Sequence, residues 1–485
     1  MNSIKKNFII NGIKTFFNLI FPIITFPYIS RVLGPIGIGK ITFATSITNY
    51  FLLFTNLGIP LYGIREIARV RENRLNLSKT FSEILFLNLI TTIIGMIIFV
   101  IFLQLRLFGN DINLFQVMSL NIIFTFIGVE WYFQGMENYS YITKRSILFK
   151  IISIILMFIF VNRKEDIVIY AGILVLALVG SNILNFFKAK KEVLISFKNL
   201  NIKKHLKPIL TIFSMNIAIS IYTNLDSVML GYRSSEYSLG IYSASSKMIH
   251  LVLGIVTSLG AVLLPRISNY IINKQEKELK EILENTLTFL LVLSIPCVIG
   301  IILTADEIIK IFSGKEFIEA VKTMRILSPV IFFIAFSNFL GIQILYPRGE
   351  EKKVLYSVIV GAIINFSLNW VLIPKYAQNG AAVATVIAEG FVLLTQIFLG
   401  YKYLKFKIFT FENLKVILVN IFMGIGLLLM TNYYTEKSII VNLLLKIILG
   451  ILIYIVGLII LKEKFIMEYI KKFIKRVKER ENGKY

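Results

Sequence analysis

Long apolar runs alternate with short polar ones along the whole chain. A helix needs about 20 mostly apolar residues to cross a bilayer. Runs of that length occupy 8–30, 40–62, 81–104, 112–133, 141–161, 167–187, 207–231, 239–263, 285–304, 324–346, 354–373, 380–401, 413–433 and 439–461. The pattern predicts an all-α polytopic membrane protein of about 14 transmembrane helices. An even number of crossings puts both termini on one side.

The pattern also repeats itself. Leu33-Gly34, with Gly37, Gly39 and Ala44 behind it, has a fainter copy in Leu230-Gly231 and Leu239-Gly240-Ile241-Tyr242-Ser243-Ala244. Leu57-Gly58 recurs as Leu259-Gly260, and Tyr132-Phe133-Gln134-Gly135 as Tyr346-Pro347-Arg348-Gly349. A membrane chain duplicated in this way predicts two pseudo-symmetric six-helix lobes around a central site. The expected division is an N-lobe at 1–190, a linker at 191–206 and a C-lobe at 207–403. Two extra C-terminal helices fill 404–462, and a basic tail follows at 463–485.

Composition agrees with the membrane reading. The chain has 485 residues, 56% of them hydrophobic and 16% charged, against about 25% charged in soluble proteins. A net charge of +24 would suggest nucleic acid in a soluble chain. Here the basic residues cluster in alternate connections, including Arg65, Arg69, Arg71 and Arg74, then Lys188, Lys190 and Lys191, then the tail. The positive-inside rule places those segments, and both termini, in the cytoplasm. No nucleic-acid partner is expected. The tail, basic with apolar spacing, reads as a helix lying on anionic lipid. A single cysteine, Cys297, excludes internal disulfides. No HExxH, P-loop or GxSxG is present. The first apolar run is too long for a cleaved signal and reads as a retained span.

Polar side chains inside the spans carry the candidate chemistry, because each is costly in lipid. Asn7, Asn11, Lys14 and Asn18 share one helix face, as do Thr42, Thr45, Ser46 and Asn49. The repeat-related spans carry Asn216, Ser220, Thr223, Asn224 and Ser227, then Ser243, Ser246, Lys247, His250 and Thr257. Four stripes at matched positions point to a shared hydrated cavity, with helix–helix adhesion as the plainer alternative. Lys14 and Lys247 are the sharpest candidates for anion capture, with snorkelling to an interface as the rival role. Arg31 and Lys40 flank the outer mouth. Asp226 is the aspartate within a span, read either as an ion or proton site or as a local salt-bridge partner. Asn365 and Asn369, and Thr385 and Glu389, are paired one turn apart. Pro22 and Pro27 interrupt the first span and mark it as the bending element, or as a static kink.

Ser30-Arg31-Val32-Leu33-Gly34-Pro35, Glu130-Trp131-Tyr132-Phe133-Gln134-Gly135, and Ile373-Pro374-Lys375-Tyr376 with Gly380-Ala381-Ala382 resemble the polysaccharide-transport branch of the multidrug/oligosaccharidyl-lipid/polysaccharide (MATE-like) superfamily. The likeness is to Wzx-type oligosaccharide-lipid flippases and runs over essentially the whole chain. It implies alternating access and a transporter rather than an enzyme. The implied substrate is an undecaprenyl-diphosphate-linked oligosaccharide for O-antigen, capsule or exopolysaccharide. A cationic cavity would hold the diphosphate, with Lys14, Arg31, Lys40, Lys247, His250, Asn11, Asn18 and Asn49 as candidates. The implied setting is the bacterial cytoplasmic membrane, with membrane lipids, a polysaccharide polymerase and a chain-length regulator as partners. No cofactor is implied. Related lipid II flippases bind sodium through an aspartate, an Asn-x3-Asp pair and a threonine. Asp226, Asn365 and Thr385 match, but Asn369 replaces the second acid, so Na+ or H+ coupling stays open. A MATE-type drug/cation antiporter is the alternative, and it would want a more acidic cavity. A polytopic polymerase or glycosyltransferase would need a sizeable outer loop, and no predicted outer segment is long enough for a catalytic domain.

Overall fold

The computed structural model describes residues 2–404, 411–433, 438–464 and 467. The chain forms α1 (Asn2–Asn56), α2 (Ile59–Val70), α3 (Arg74–Gln104), α4 (Ile112–Phe126), α5 (Glu130–Gly135), α6 (Tyr139–Phe160), α7 (Ile167–Val175), α8 (Asn182–Glu192) and α9 (Lys203–Arg233). It continues as α10 (Glu236–Ile272), α11 (Glu276–Phe312), α12 (Ala320–Leu327), α13 (Val330–Asn338), α14 (Glu351–Gly400), α15 (Phe411–Tyr433) and α16 (Ile439–Ile460). Among the described residues, ten stretches are long and apolar enough to cross a membrane. Two of them hold two crossings each, and α6 and α9 add one apiece, which yields the fourteen helices the hydropathy pattern predicts. Most of the basic tail lies outside the described residues.

Two compact units divide at Ser243/Ala244. In the first, α1 is one continuous element broken at Gly34, where φ is 67° and ψ −178°. That region is open essentially to glycine alone, and Pro35 restarts the helix behind it. Pro22 and Pro27 sit upstream in backbone of helical geometry, so the break within α1 is at the glycine. The second half of α1 packs on α9 and on the start of α10. There the duplicated glycines meet backbone directly: a Cβ at Gly39 would stand 1.8 Å from the Glu236 carbonyl oxygen, and one at Gly240 would stand 1.9 Å from that of Pro35.

One hydrophobic cluster of this unit lies at the loop end of α2 and α3. Trp131, Tyr132 and Phe133 of α5 are buried there with Ile59, Tyr62, Ile67 and Phe81. The Phe81 ring stands 5.3 Å from Trp131 and 5.2 Å from Tyr132, centroid to centroid, distances at which aromatic pairs add stability beyond their buried area.

In the second unit, α14 breaks at Ala377 (φ 46°, ψ −127°) just after Pro374. Helices α15 and α16 pack on α11 through Val416, Val419, Met423, Tyr454 and Leu458. A buried ion pair ties the same helices together. Lys446 donates to Glu307, which also accepts from Asn442 at 3.0 Å. The outer face of α16, with Ile447, Ile448, Ile451 and Ile455, stays exposed, as a lipid-facing helix requires.

Candidate functional site

A cluster of cations forms in the first unit where α1, α5 and α6 meet. On α1, Lys14 and Asn18 are one turn apart and share a face. Lys14 makes an ion pair with Glu130, the first residue of α5. Val129 just before it holds φ 38°, an uncommon conformation for a β-branched residue. That turn lets α5 send three aromatic side chains into the core while its carboxylate meets Lys14.

Helix α6 supplies two further cations, both buried: Arg145, 6% exposed, and Lys150, 8% exposed. Arg145 donates to the Ser181 carbonyl and to Asn182 Oδ1, the latter at 3.3 Å. Its guanidinium carbon lies 5.9 Å from the Tyr141 ring centre, and its Nε finds no hydrogen-bond partner among the described residues. Lys150 donates to the neutral Asn18 Oδ1 and sits 5.7 Å from the Phe21 ring centre. The described residues give it no carboxylate in ion-pair contact. Of the three cations, Lys14 alone makes an ion pair among the described residues, while Arg145 and Lys150 are buried without one. An uncompensated charge there is costly, which makes this cluster the candidate site. At 4 Å and an effective dielectric of about 20, each unit of anionic charge gains about 4 kcal/mol from each such cation.

The other candidates are placed as follows. Asn18 joins Lys14 and Lys150 in the cluster; the side chain of Asn11 lies outside the described residues. Arg31 is exposed and donates to the Pro27 carbonyl of its own helix. Lys40 is held by Asp111 at 2.7 Å and Glu236 at 3.8 Å. With two carboxylates around it, Lys40 acts here as a clamp between α1, α4 and α10. Asn49 donates to Asn224 Oδ1 at 3.4 Å, and the pair lines a cavity of about 510 Å³ with Ser220, Thr223 and Asn56. The stripes of α1 and α9 therefore do face common space. From the α10 stripe, Ser243 instead accepts directly from Thr42 of α1 at 3.0 Å.

Asp226 accepts from the Tyr242 hydroxyl at 2.6 Å. In the second unit, Lys247 is half-buried on α10 and His250, one turn on, is exposed. Asn369 donates to Asn365 Oδ1 at 3.0 Å, both side chains buried, and Thr385 donates to its own helix at Ala381. No group of three His, Cys, Asp or Glu able to hold a metal occurs among the described residues.

Arg145 and Lys150 were open to detection in the sequence, as two of the three cations inside the apolar run 141–161. Their weight comes from being buried with no carboxylate in ion-pair contact among the described residues, while Glu130 is taken by Lys14. No spacing along the chain reveals that, because α5 and α6 are remote from α1 in sequence.

The family described as "Polysaccharide biosynthesis protein" matches residues 4–271, and that described as "MatE" matches 211–371. The chain is 26% identical over 394 residues to a protein of Escherichia coli (strain K12) named "Putative O-antigen transporter", covering 80% of this chain and 94% of the relative. It is 25% identical over 388 residues to "Capsular polysaccharide biosynthesis protein CapF" of Staphylococcus aureus, covering 77% and 93%. Among solved structures, the lipid II flippase MurJ in an inward closed conformation superposes with a TM-score of 0.67 at 20% identity, over 90% of this chain and 97% of that one. That likeness shows the fold.

Proposed function

We propose, because the chain belongs to the polysaccharide biosynthesis protein family, that it is a transporter that flips lipid-linked oligosaccharides across the membrane. The names of its relatives, for O-antigen and capsular polysaccharide, support this reading. The substrate is an oligosaccharide repeat unit on undecaprenyl diphosphate. The chain sits in the bacterial cytoplasmic membrane with both termini in the cytoplasm. It hands its cargo to a polysaccharide polymerase and a chain-length regulator.

The observation that carries the reading is the excess of buried cationic charge on α1 and α6. A diphosphate brings at least two negative charges and several acceptor oxygens. Lys150 and Arg145 offer charge-assisted hydrogen bonds to those oxygens. Lys14 is already paired, so the phosphate must compete with Glu130 for it. That exchange makes capture reversible: when the cargo leaves, Glu130 closes on Lys14 again and the site returns to its resting charge. A drug/cation antiporter would place acids, not bases, at such a depth, and that alternative is not favoured. Ion coupling belongs to the same proposal, with two separate candidates: the Asp226 carboxylate in the first unit, and Asn365, Asn369 and Thr385 in the second. The neutral oxygens of the latter three hold a hard cation weakly.

The test is flipping of a fluorescent undecaprenyl-diphosphate-linked glycan by the purified chain in vesicles. Lys150→Ala should abolish most of the activity, and Lys150→Arg should retain part of it. Unaltered flipping in Lys150→Ala and in Arg145→Gln would remove the cluster from the transport path.

A further inference from the structure

A second basic site lies wholly within the second unit, at the end where three connections meet. The turn between α10 and α11, the turn ahead of α14 and the residues after α14 enclose a cavity of about 700 Å³. That volume lies within the 300–1,000 Å³ range of small-molecule sites. Its charged lining is five cations and one carboxylate: Lys274, Lys277, Lys280, Arg348 and Lys402, with Glu276.

The walls differ in character. On one, Arg348 and Lys402 are held against Tyr403, whose ring centre lies 5.0 Å from the guanidinium carbon and 4.7 Å from the Lys402 ammonium. Arg348 uses one N–H on the Ile344 carbonyl at 2.6 Å. Tyr403 is itself fixed by its hydrogen bond to Glu350, which also draws Lys353 at 2.9 Å and Lys402 at 3.4 Å. The arginine is therefore positioned before any ligand arrives, with further N–H donors of its planar fork in hand. On the other wall, the lysines stand around the first turn of α11, which no side chain caps. Leu279 and Leu283 add apolar surface between them.

We propose that this cavity binds a phosphate ester, its oxygens on Arg348 and Lys402 and its organic part against Leu279, Leu283 and Tyr403. A preset arginine fork with several ammonium groups suits the charge and geometry of phosphate better than those of a monovalent carboxylate. The apolar strip gives the ester an advantage over the bare ion. The phosphate comes either from an anionic lipid headgroup or from a soluble ester, since the connections lie at a helix-bundle end that meets both. The site is independent of the transport reading, being built from residues that reading does not use.

The test uses the full-length protein in two arms. In the first, native mass spectrometry measures retention of phosphatidylglycerol against phosphatidylcholine. In the second, thermal stabilisation is measured with sn-glycerol 3-phosphate against glycerol. Preference for phosphatidylglycerol alone assigns a lipid headgroup; stabilisation by glycerol phosphate assigns a soluble ester. In either arm, Arg348→Gln with Lys402→Gln should weaken binding about tenfold, the loss expected for one or two charged hydrogen bonds. Lys274→Gln with Lys280→Gln, at exposed positions with no packing role, tests the opposite wall if the first variant does not fold. A loss in either double variant supports the site. No preference in either arm, or wild-type binding by both variants, overturns it.

Discussion

Gly39 and Gly240 face each other's backbones across α1 and α10, each at the point where a methyl group would fall within 2 Å of a carbonyl oxygen, 1.8 Å from Glu236 and 1.9 Å from Pro35. The two residues come from the two copies of the duplicated motif. The repeat thus serves a packing purpose: its glycines are what allow these backbones to touch.

Gly39→Ala and Gly240→Ala should each destabilise the protein, because the obstructing atoms are backbone and cannot rotate away. Overpacking typically costs about 1–3 kcal/mol, and here the upper end is expected. Thermal unfolding of the detergent-solubilised protein measures it. A melting temperature equal to wild type for both variants would mean the helices separate at no cost.

Glu130→Gln should raise affinity for the diphosphate and slow its release. The substitution removes the competitor for Lys14 while leaving the shape. Binding of inorganic pyrophosphate should tighten by up to about tenfold, a gain of about 1.4 kcal/mol, while flipping turnover falls. Weaker pyrophosphate binding would show that Glu130 organises the cations rather than competing for them.

The buried pair of Glu307 and Lys446 joins α11 to α16. Glu307→Ala should cost about 3–5 kcal/mol, since it strands an ammonium in an apolar setting. Replacing both partners with methionine should restore most of the loss. Melting temperatures of the single and double variants decide this, and additive losses would argue against the pair acting as a unit.

His205, in the first turn of α9 and ahead of its apolar stretch, is buried between Tyr62 at 2.5 Å and Glu83 at 3.0 Å. Burial pushes its imidazole below the ordinary value of 6.5, against the raising pull of Glu83. The unfolded chain therefore takes up the proton more readily than the folded one. Stability should fall as pH drops through about 6.5 toward the lower folded value. His205→Gln should flatten that part of the melting profile between pH 7.5 and 5.5. A wild-type profile that is flat there, or that rises on acidification, would contradict the assignment.

The apolar periodicity determined the number of crossings, because the length of a spanning helix is a local property that the bilayer imposes. The motif glycines were equally legible, since only certain positions require glycine. Lys14 and Asn18 could be placed on one face of α1 from spacing alone. What they meet could not. Whether a cation is neutralised depends on what another helix brings within 4 Å of it: Lys40 falls between Asp111 and Glu236, whereas Lys150 reaches the neutral Asn18. Both are lysines beside apolar residues in the sequence. Charge balance in a low-dielectric interior is a sum over neighbours from remote segments, so tertiary packing alone decided which cations remain to meet an anion.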